Sequence, residues 1–209
     1  MYKRQVYDGV SIPDERKHLK NNSSEVIKVV VVGSISKQKN QEQIIKAVSK
    51  LPNTIVSKLR IDFIGTGNES YVDNIRKLIR NFKMDDFFQF RGFIEDLNGV
   101  YENYDVGLIT SIGESFGRVT IEYMSNGLLT VVSNSGANPE LVEDKISGLV
   151  FNSTEELTEI LISIVNNYSE MYTIRQNGLN RAYQFVPNIA ASKVQKIYNQ
   201  LVSNHISKN

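Results

Sequence analysis

The amino-acid sequence predicts an α/β domain, a doubly wound parallel sheet followed by C-terminal helices. Three observations carry this expectation. Val26–Gly33 is a near-continuous apolar run ending at glycine, as in a strand buried on both faces of a parallel sheet. Similar runs then alternate with amphipathic stretches of helical period, the order in which such sheets are built. The bulk composition, 41% hydrophobic and 22% charged, fits a globular domain and is too apolar for disorder.

The elements follow in order. Met1–Gln5 suggests none, and Asp14–Glu25 is a polar lead-in. After the Val26–Gly33 strand, Ile44, Ile45, Val48 and Leu51 mark one face of a helix that stops before Pro52. Leu59–Ile64 repeats the strand and ends at Gly65; Ile75, Leu78, Ile79 and Phe82 mark a second amphipathic helix. Phe87–Phe90, Val106–Ile109, Leu128–Val132 and Leu149–Phe151 read as further strands. Helices are expected at Glu95–Tyr101, Arg118–Ser125 and Pro139–Val142. From Thr154 the pattern is helical: Leu157, Ile160, Leu161 and Ile164, then Tyr172–Phe185, then Ile189–Val202.

Several functions are excluded or disfavoured by composition. A chain of 209 residues suggests one domain with trimmings. Lys plus Arg is 24 and Asp plus Glu is 23, a net charge of +1, without the basic excess of a nucleic-acid binder. There is no cysteine, so thiol catalysis, disulfides and Cys-ligated zinc are out. The two histidines, His18 and His205, lie near opposite ends, which disfavours histidine triads and multi-histidine metal sites. No run approaches the roughly 18 apolar residues of a membrane span, and no signal peptide is visible. A cytoplasmic protein fits these features.

In a doubly wound sheet, ligands bind at the carboxyl ends of the strands, which directs attention to four loops. The first, Gly33–Asn40, carries Lys37 and Lys39 before a helix and suits an anion near helix amides. It is not a Walker loop, and a solvated loop with two surface lysines is the simpler reading of it alone. In the second, Gly65 and Gly67 match the start of a dinucleotide fingerprint, but Ser70 holds the third glycine position and the strand is the wrong one. A tight turn explains both glycines. The third, Thr110–Met124, is the most informative. Glycines flank Glu114, Gly117 stands where a helix begins and its free amides could meet an anion, and Glu122 falls one turn inside. A partly buried carboxylate at Glu122 needs donors, from the protein or from ligand hydroxyls. Two carboxylates flanking an amide nest suit a ligand with phosphate in the middle and hydroxyls at each end, as in a nucleotide sugar. The competing reading is a helix-cap Glu and a structural Glu. The fourth loop, Ser133–Val142, is by itself turn chemistry, with Pro139 at a helix start and Glu140 near the positive end of its dipole.

The block Glu114-Ser-Phe-Gly-Arg-Val-Thr-Ile-Glu122 resembles the E-x7-E motif of retaining GT-B glycosyltransferases of family 4, the glycosyl transferases group 1. Tyr7-Asp-Gly-Val10 resembles the start of that family's C-terminal domain, and Gly33–Lys39 its Gly-Arg-x5-Lys loop. Gly65–Gly67, Phe90–Phe93, Asn126–Val132 and Gly136–Val142 fall in the expected order. The resemblance implies a Rossmann-like donor-binding domain. It implies that Glu122 accepts hydrogen bonds from ribose hydroxyls and Glu114 from the donor sugar. Ser115, Phe116, Gly117, Arg118 and Val119 would border the diphosphate and sugar. Lys39, in the same loop as Gly33 and Ser34, would neutralise the diphosphate, with Gly33 and Ser34 also donor-binding and Lys39 and Glu114 as the catalytic pair. Phe93 would border the base. The substrate would be a UDP-sugar or GDP-sugar, with no cofactor and no metal. One position departs from the family: arginine commonly stands where Ser34 is. Lys39 and Lys37 would then share phosphate binding, or that binding is weakened. Arg118 is an outside candidate to help, against the reading of a solvated first-turn arginine.

The resemblance divides the chain into three: 1–25, a lead-in left from an inter-domain junction; 26–186, the nucleotide-sugar-binding domain; and 187–209, a helix that would pack toward an N-terminal domain. That domain would supply the site for a glycan or lipid-linked acceptor, so this chain alone is expected to be inactive as a hexosyltransferase. Bacterial polysaccharide assembly, in the cytoplasm or peripheral at the inner membrane surface, is the setting the family suggests. The alternatives are a non-catalytic nucleotide-sugar-binding fragment and an epimerase or phosphorylase of the same fold.

Overall fold

The structure, a computed structural model, describes residues 6–7, 9–12, 19, 25–97 and 99–206. Met1–Gln5, Asp8 and His18 lie outside the described residues. Six strands form one sheet: β1 (Ile27–Val32), β2 (Leu59–Ile64), β3 (Phe88–Gly92), β4 (Val106–Ile109), β5 (Leu129–Ser133) and β6 (Leu149–Phe151). Their order is β3-β2-β1-β4-β5-β6, and every pairing is parallel. The order reverses between β1 and β4, so the connections leave that pair on opposite faces and open a crevice at its carboxyl end.

Alternation along β1 explains both layers. Val29 and Val31 face a core shared with α1 (Gln41–Val48), α3 (Glu69–Asn81) and α6 (Thr154–Asn167). Val30 faces a second core shared with α4 (Arg118–Ser125), α5 (Asn138–Leu141) and α7 (Tyr172–Ala182). Between α1 and β2 lies a further single turn, α2 (Asn53–Val56), which the sequence reading did not include. Its start at Pro52 uses the ring's preset φ, and Ile55 and Val56 are buried. The helix α6 is capped by Ser153, whose Oγ accepts the Glu156 amide at 3.1 Å.

Among the described residues of Glu95–Tyr101 the expected helix is not formed; a 3-10 turn follows at Tyr101–Asn103. The apolar positions Ile94, Leu97, Val100 and Tyr101 pack onto the second core without a helical ladder. Tertiary packing overrides a helix-like spacing in so short a segment. After α7, α8 (Pro187–Ile206) projects with Val194, Tyr198, Leu201 and Val202 exposed. Gly9 and Val10 lie against the root of this helix: a Cβ on Gly9 would stand 2.4 Å from the Pro187 Cα, the Val10 amide donates to the Phe185 carbonyl at 2.8 Å, and Val10 is buried.

Candidate functional site

A cleft of about 320 Å³ opens between the carboxyl ends of β1 and β4, where the strand order reverses. Val31, Val32, Leu108 and Ile109 form its floor, and Lys39, Gln41, Thr110 and Glu114 through Val119 its walls. Seven of the residues singled out in the sequence therefore share one cavity: Lys39, Glu114, Ser115, Phe116, Gly117, Arg118 and Val119. At its mouth Lys39 Nζ donates to Glu114 Oε2 at 2.7 Å.

The first loop is shaped from within. Gly33 has φ +139°, and Asn40 takes the left-handed conformation at φ 52° just before α1, a conformation asparagine tolerates. The buried Gln41 side chain braces the loop, donating to the Ser34 carbonyl at 2.9 Å and accepting the Ser36 amide at 3.2 Å. Thr110 Oγ1 donates to the Lys39 carbonyl at 2.8 Å, so β4 holds the lysine's backbone. A Cβ on Gly65 would stand 2.0 Å from the Gly33 oxygen, and one on Gly67 2.0 Å from the Ile35 oxygen. These glycines serve more than a tight turn: they let the second loop pack directly on the backbone of the first.

The third loop is held by the fourth. The Gly113 amide donates to Ser135 Oγ at 2.8 Å, and the Ala137 amide to the Glu114 carbonyl at 2.8 Å. Gly136, at φ +60°, abuts Glu114 so closely that a Cβ would lie 2.2 Å from its oxygen. Gly117, at φ +82°, stands at the N-cap of α4. The Thr120 amide bonds back to the Gly117 carbonyl at 3.0 Å, while the Arg118 and Val119 amides have no acceptor among the described residues. Two open N–H groups and the positive end of the α4 dipole thus face the cleft.

Glu122 lies one turn further along α4. Its Oε2 accepts a hydrogen bond from the hydroxyl of buried Tyr101 at 2.7 Å. Burial raises the Tyr101 phenol well above its ordinary range, so it remains a donor. Phe93 stands apart: it is 72% exposed beyond β3 and is not a wall of the cleft. Ser34 and Lys37 line a neighbouring hollow with Asn68, Ser70 and Tyr71. Tyr101 and Gln41 are the contributors that sequence reasoning missed. Neither stood out, because their part depends on contacts between separate loops. Phe116 stacks on Tyr7, with ring centroids 6.1 Å apart, and Tyr7 in turn meets Phe185 edge-on at 5.5 Å.

Among the described residues, no helix is long and apolar enough to cross a membrane, and no three His, Asp or Glu side chains cluster as metal ligands would.

Comparison with known proteins places this geometry. The chain is 27% identical over 178 residues to a glycogen synthase of Thermodesulfovibrio yellowstonii, covering 82% of this chain and 35% of that protein. It is 25% identical to Anabaena Alr3699/HepE, solved in complex with UDP-glucose, with a TM-score of 0.74 over 85% of this chain and 49% of that one. The fold also matches the C-terminal domain of a glycosyl transferase group 1 protein of Francisella tularensis, at 22% identity and a TM-score of 0.66, covering 76% and 85%. The chain spans about a third to a half of the first two relatives. Its six-stranded parallel sheet with flanking helices is the Rossmann-like domain of GT-B enzymes. The family described as glycosyl transferases group 1 matches residues 12–181, and the chain belongs to that family.

Proposed function

We propose that this chain is the donor-binding half of a retaining glycosyltransferase, which moves a hexose from a UDP-sugar or GDP-sugar to a glycan or lipid-linked acceptor. The observation that carries the reading is the meeting of Lys39 and Glu114 beside the open amides of α4, in the crevice where the strand order reverses. The diphosphate sits against the Arg118 and Val119 amides and the Lys39 ammonium. Those groups oppose the charge that grows on the leaving diphosphate as the bond to the anomeric carbon breaks. Glu114 accepts hydrogen bonds from the sugar, and Glu122 from the ribose. The acceptor hydroxyl oxygen bonds to the anomeric carbon on the face that the diphosphate leaves and gives its proton to the departing diphosphate oxygen, which retains configuration. Lys39 and the helix terminus supply the positive charge, so the binding step uses no metal.

The acceptor site belongs to an N-terminal domain, toward which the exposed apolar face of α8 packs. Residues 26–186 bind the donor, and the 209-residue chain alone binds without transferring. The enzyme works in the cytoplasm or at the inner membrane surface, with any membrane contact made by the acceptor half.

Calorimetric titration of the chain with UDP, GDP and ADP tests this reading. Binding of at least one nucleoside diphosphate at roughly millimolar dissociation constant or tighter is expected. If none binds, the donor-site reading is wrong.

A further inference from the structure

We infer that Tyr101 is a positioning residue: by fixing the Glu122 carboxylate it sets the preference of the site for a ribonucleotide over a deoxyribonucleotide. The inference rests on the donor-binding reading and deepens it. Glu122 is three residues beyond Val119, a wall of the cleft, and three-residue spacing keeps both on one face of α4. A carboxylate offers about four acceptor positions, and Tyr101 takes one on Oε2 at 2.7 Å. Oε1 has no partner among the described residues. Glu122 is not itself a wall of the cleft but stands one turn behind it on α4; one pinned oxygen fixes the plane of its carboxylate and leaves the other open to a further donor.

Tyr101 is itself held. Its ring meets that of Tyr123 edge-on, with centroids 5.6 Å apart and planes at 87°. Tyr123 is fully buried and accepts the Val32 amide through its oxygen at 2.8 Å. The Tyr123 ring fills space that Gly107 leaves free; a Cβ there would lie 2.2 Å from it. The phenol of Tyr101 is therefore locked between the sheet and α4. Held this way, a carboxylate can accept from both hydroxyls of a vicinal diol at little entropic cost, whereas a freely rotating one would have to be ordered by the ligand. The ligand chemistry that uses such a group is the 2′,3′-diol of a ribonucleoside diphosphate.

The test compares UDP with 2′-deoxy-UDP by calorimetry. The unmodified chain is expected to prefer UDP. In Tyr101→Phe, which loses one oxygen, affinity for UDP should fall roughly 3- to 10-fold. Affinity for 2′-deoxy-UDP should fall less, so the preference shrinks. In a Glu122→Gln background the Tyr101→Phe change should cost no further preference, since Tyr101 acts through that carboxylate. If the unmodified chain binds no nucleoside diphosphate, the donor-site reading fails. If it binds UDP without preference, or if folded Tyr101→Phe keeps the full preference, only the positioning role is overturned. Should Tyr101→Phe not fold, Glu122→Asp decides: it keeps the charge but draws the carboxylate back from the Tyr101 hydroxyl, so a reduced preference supports the role and a full preference overturns it.

Discussion

Lys39 and Glu114, 75 residues apart in sequence, meet at 2.7 Å, each side chain less than one-third exposed. They come from the loops after β1 and β4, the two strands between which the sheet changes direction. Each satisfies the other. A diphosphate would draw the ammonium away, leaving the carboxylate to the sugar.

Replacing Lys39 by alanine should weaken binding of a nucleoside diphosphate by about 1.5–3 kcal/mol, the range for hydrogen bonds to charged groups. Fold stability should change by no more than about 1 kcal/mol, because the pair is partly solvated. Calorimetry and chemical denaturation of the same variant measure the two effects. Unchanged diphosphate affinity would remove Lys39 from the site.

Glu114→Gln should behave in the opposite sense toward the nucleotide. With the negative charge gone, Lys39 is free for phosphate, so UDP should bind as well as before or more tightly. The extra affinity of a UDP-sugar over UDP should diminish. A titration pair, UDP and UDP-glucose, reads this directly, and a loss of UDP affinity would contradict it.

Gly113 and Gly136 provide a matched contrast. Both have positive φ, +74° and +60°, but a Cβ on Gly113 meets nothing within 4 Å, whereas one on Gly136 meets the Glu114 backbone at 2.2 Å. Gly113→Ala should cost about 1–2 kcal/mol of backbone strain. Gly136→Ala should add about 1–3 kcal/mol of overpacking and displace Glu114. Urea unfolding midpoints rank the two, and equal losses would contradict the close contact.

Alkaline pH should unfold the chain cooperatively. Burial raises the phenols of Tyr101, Tyr104, Tyr123 and Tyr168 well above their ordinary value of 10. The folded state therefore disfavours their ionised forms. Stability on this account is intact below about pH 10, where the unfolded phenols are also protonated, and falls as pH rises above it. Of the ten tyrosines, those four should resist ionisation until the fold is lost. Absorbance at 295 nm followed against circular dichroism tests it; complete ionisation before any loss of secondary structure would refute it.

Much of this was legible in the residues. The ranges Leu59–Ile64, Val106–Ile109, Leu149–Phe151 and Arg118–Ser125 coincide with β2, β4, β6 and α4. Their signals are local: an apolar run between breakers, or a 3.6-residue period. Glu95–Tyr101 misled because its apolar spacing suits a helix, although the segment only lays those side chains on the core. The single turn α2 is too short to show any period. Phe93, which the resemblance expects to border the base, follows β3 and is largely exposed, outside the residues that line the cleft.

The sequence by itself determined the α/β class, the loops that matter and the residue types able to hold an anion and hydroxyls. These depend on hydrophobic period and on chemistry carried by single residues and their near neighbours. Only the tertiary structure decided that β1 and β4 adjoin, that Lys39 reaches Glu114, that Gly136 packs against Glu114 and that Tyr101 holds Glu122. Each of these is a contact between segments far apart in the chain. It is set by strand order and by the close packing of loops, which no local pattern of residues encodes.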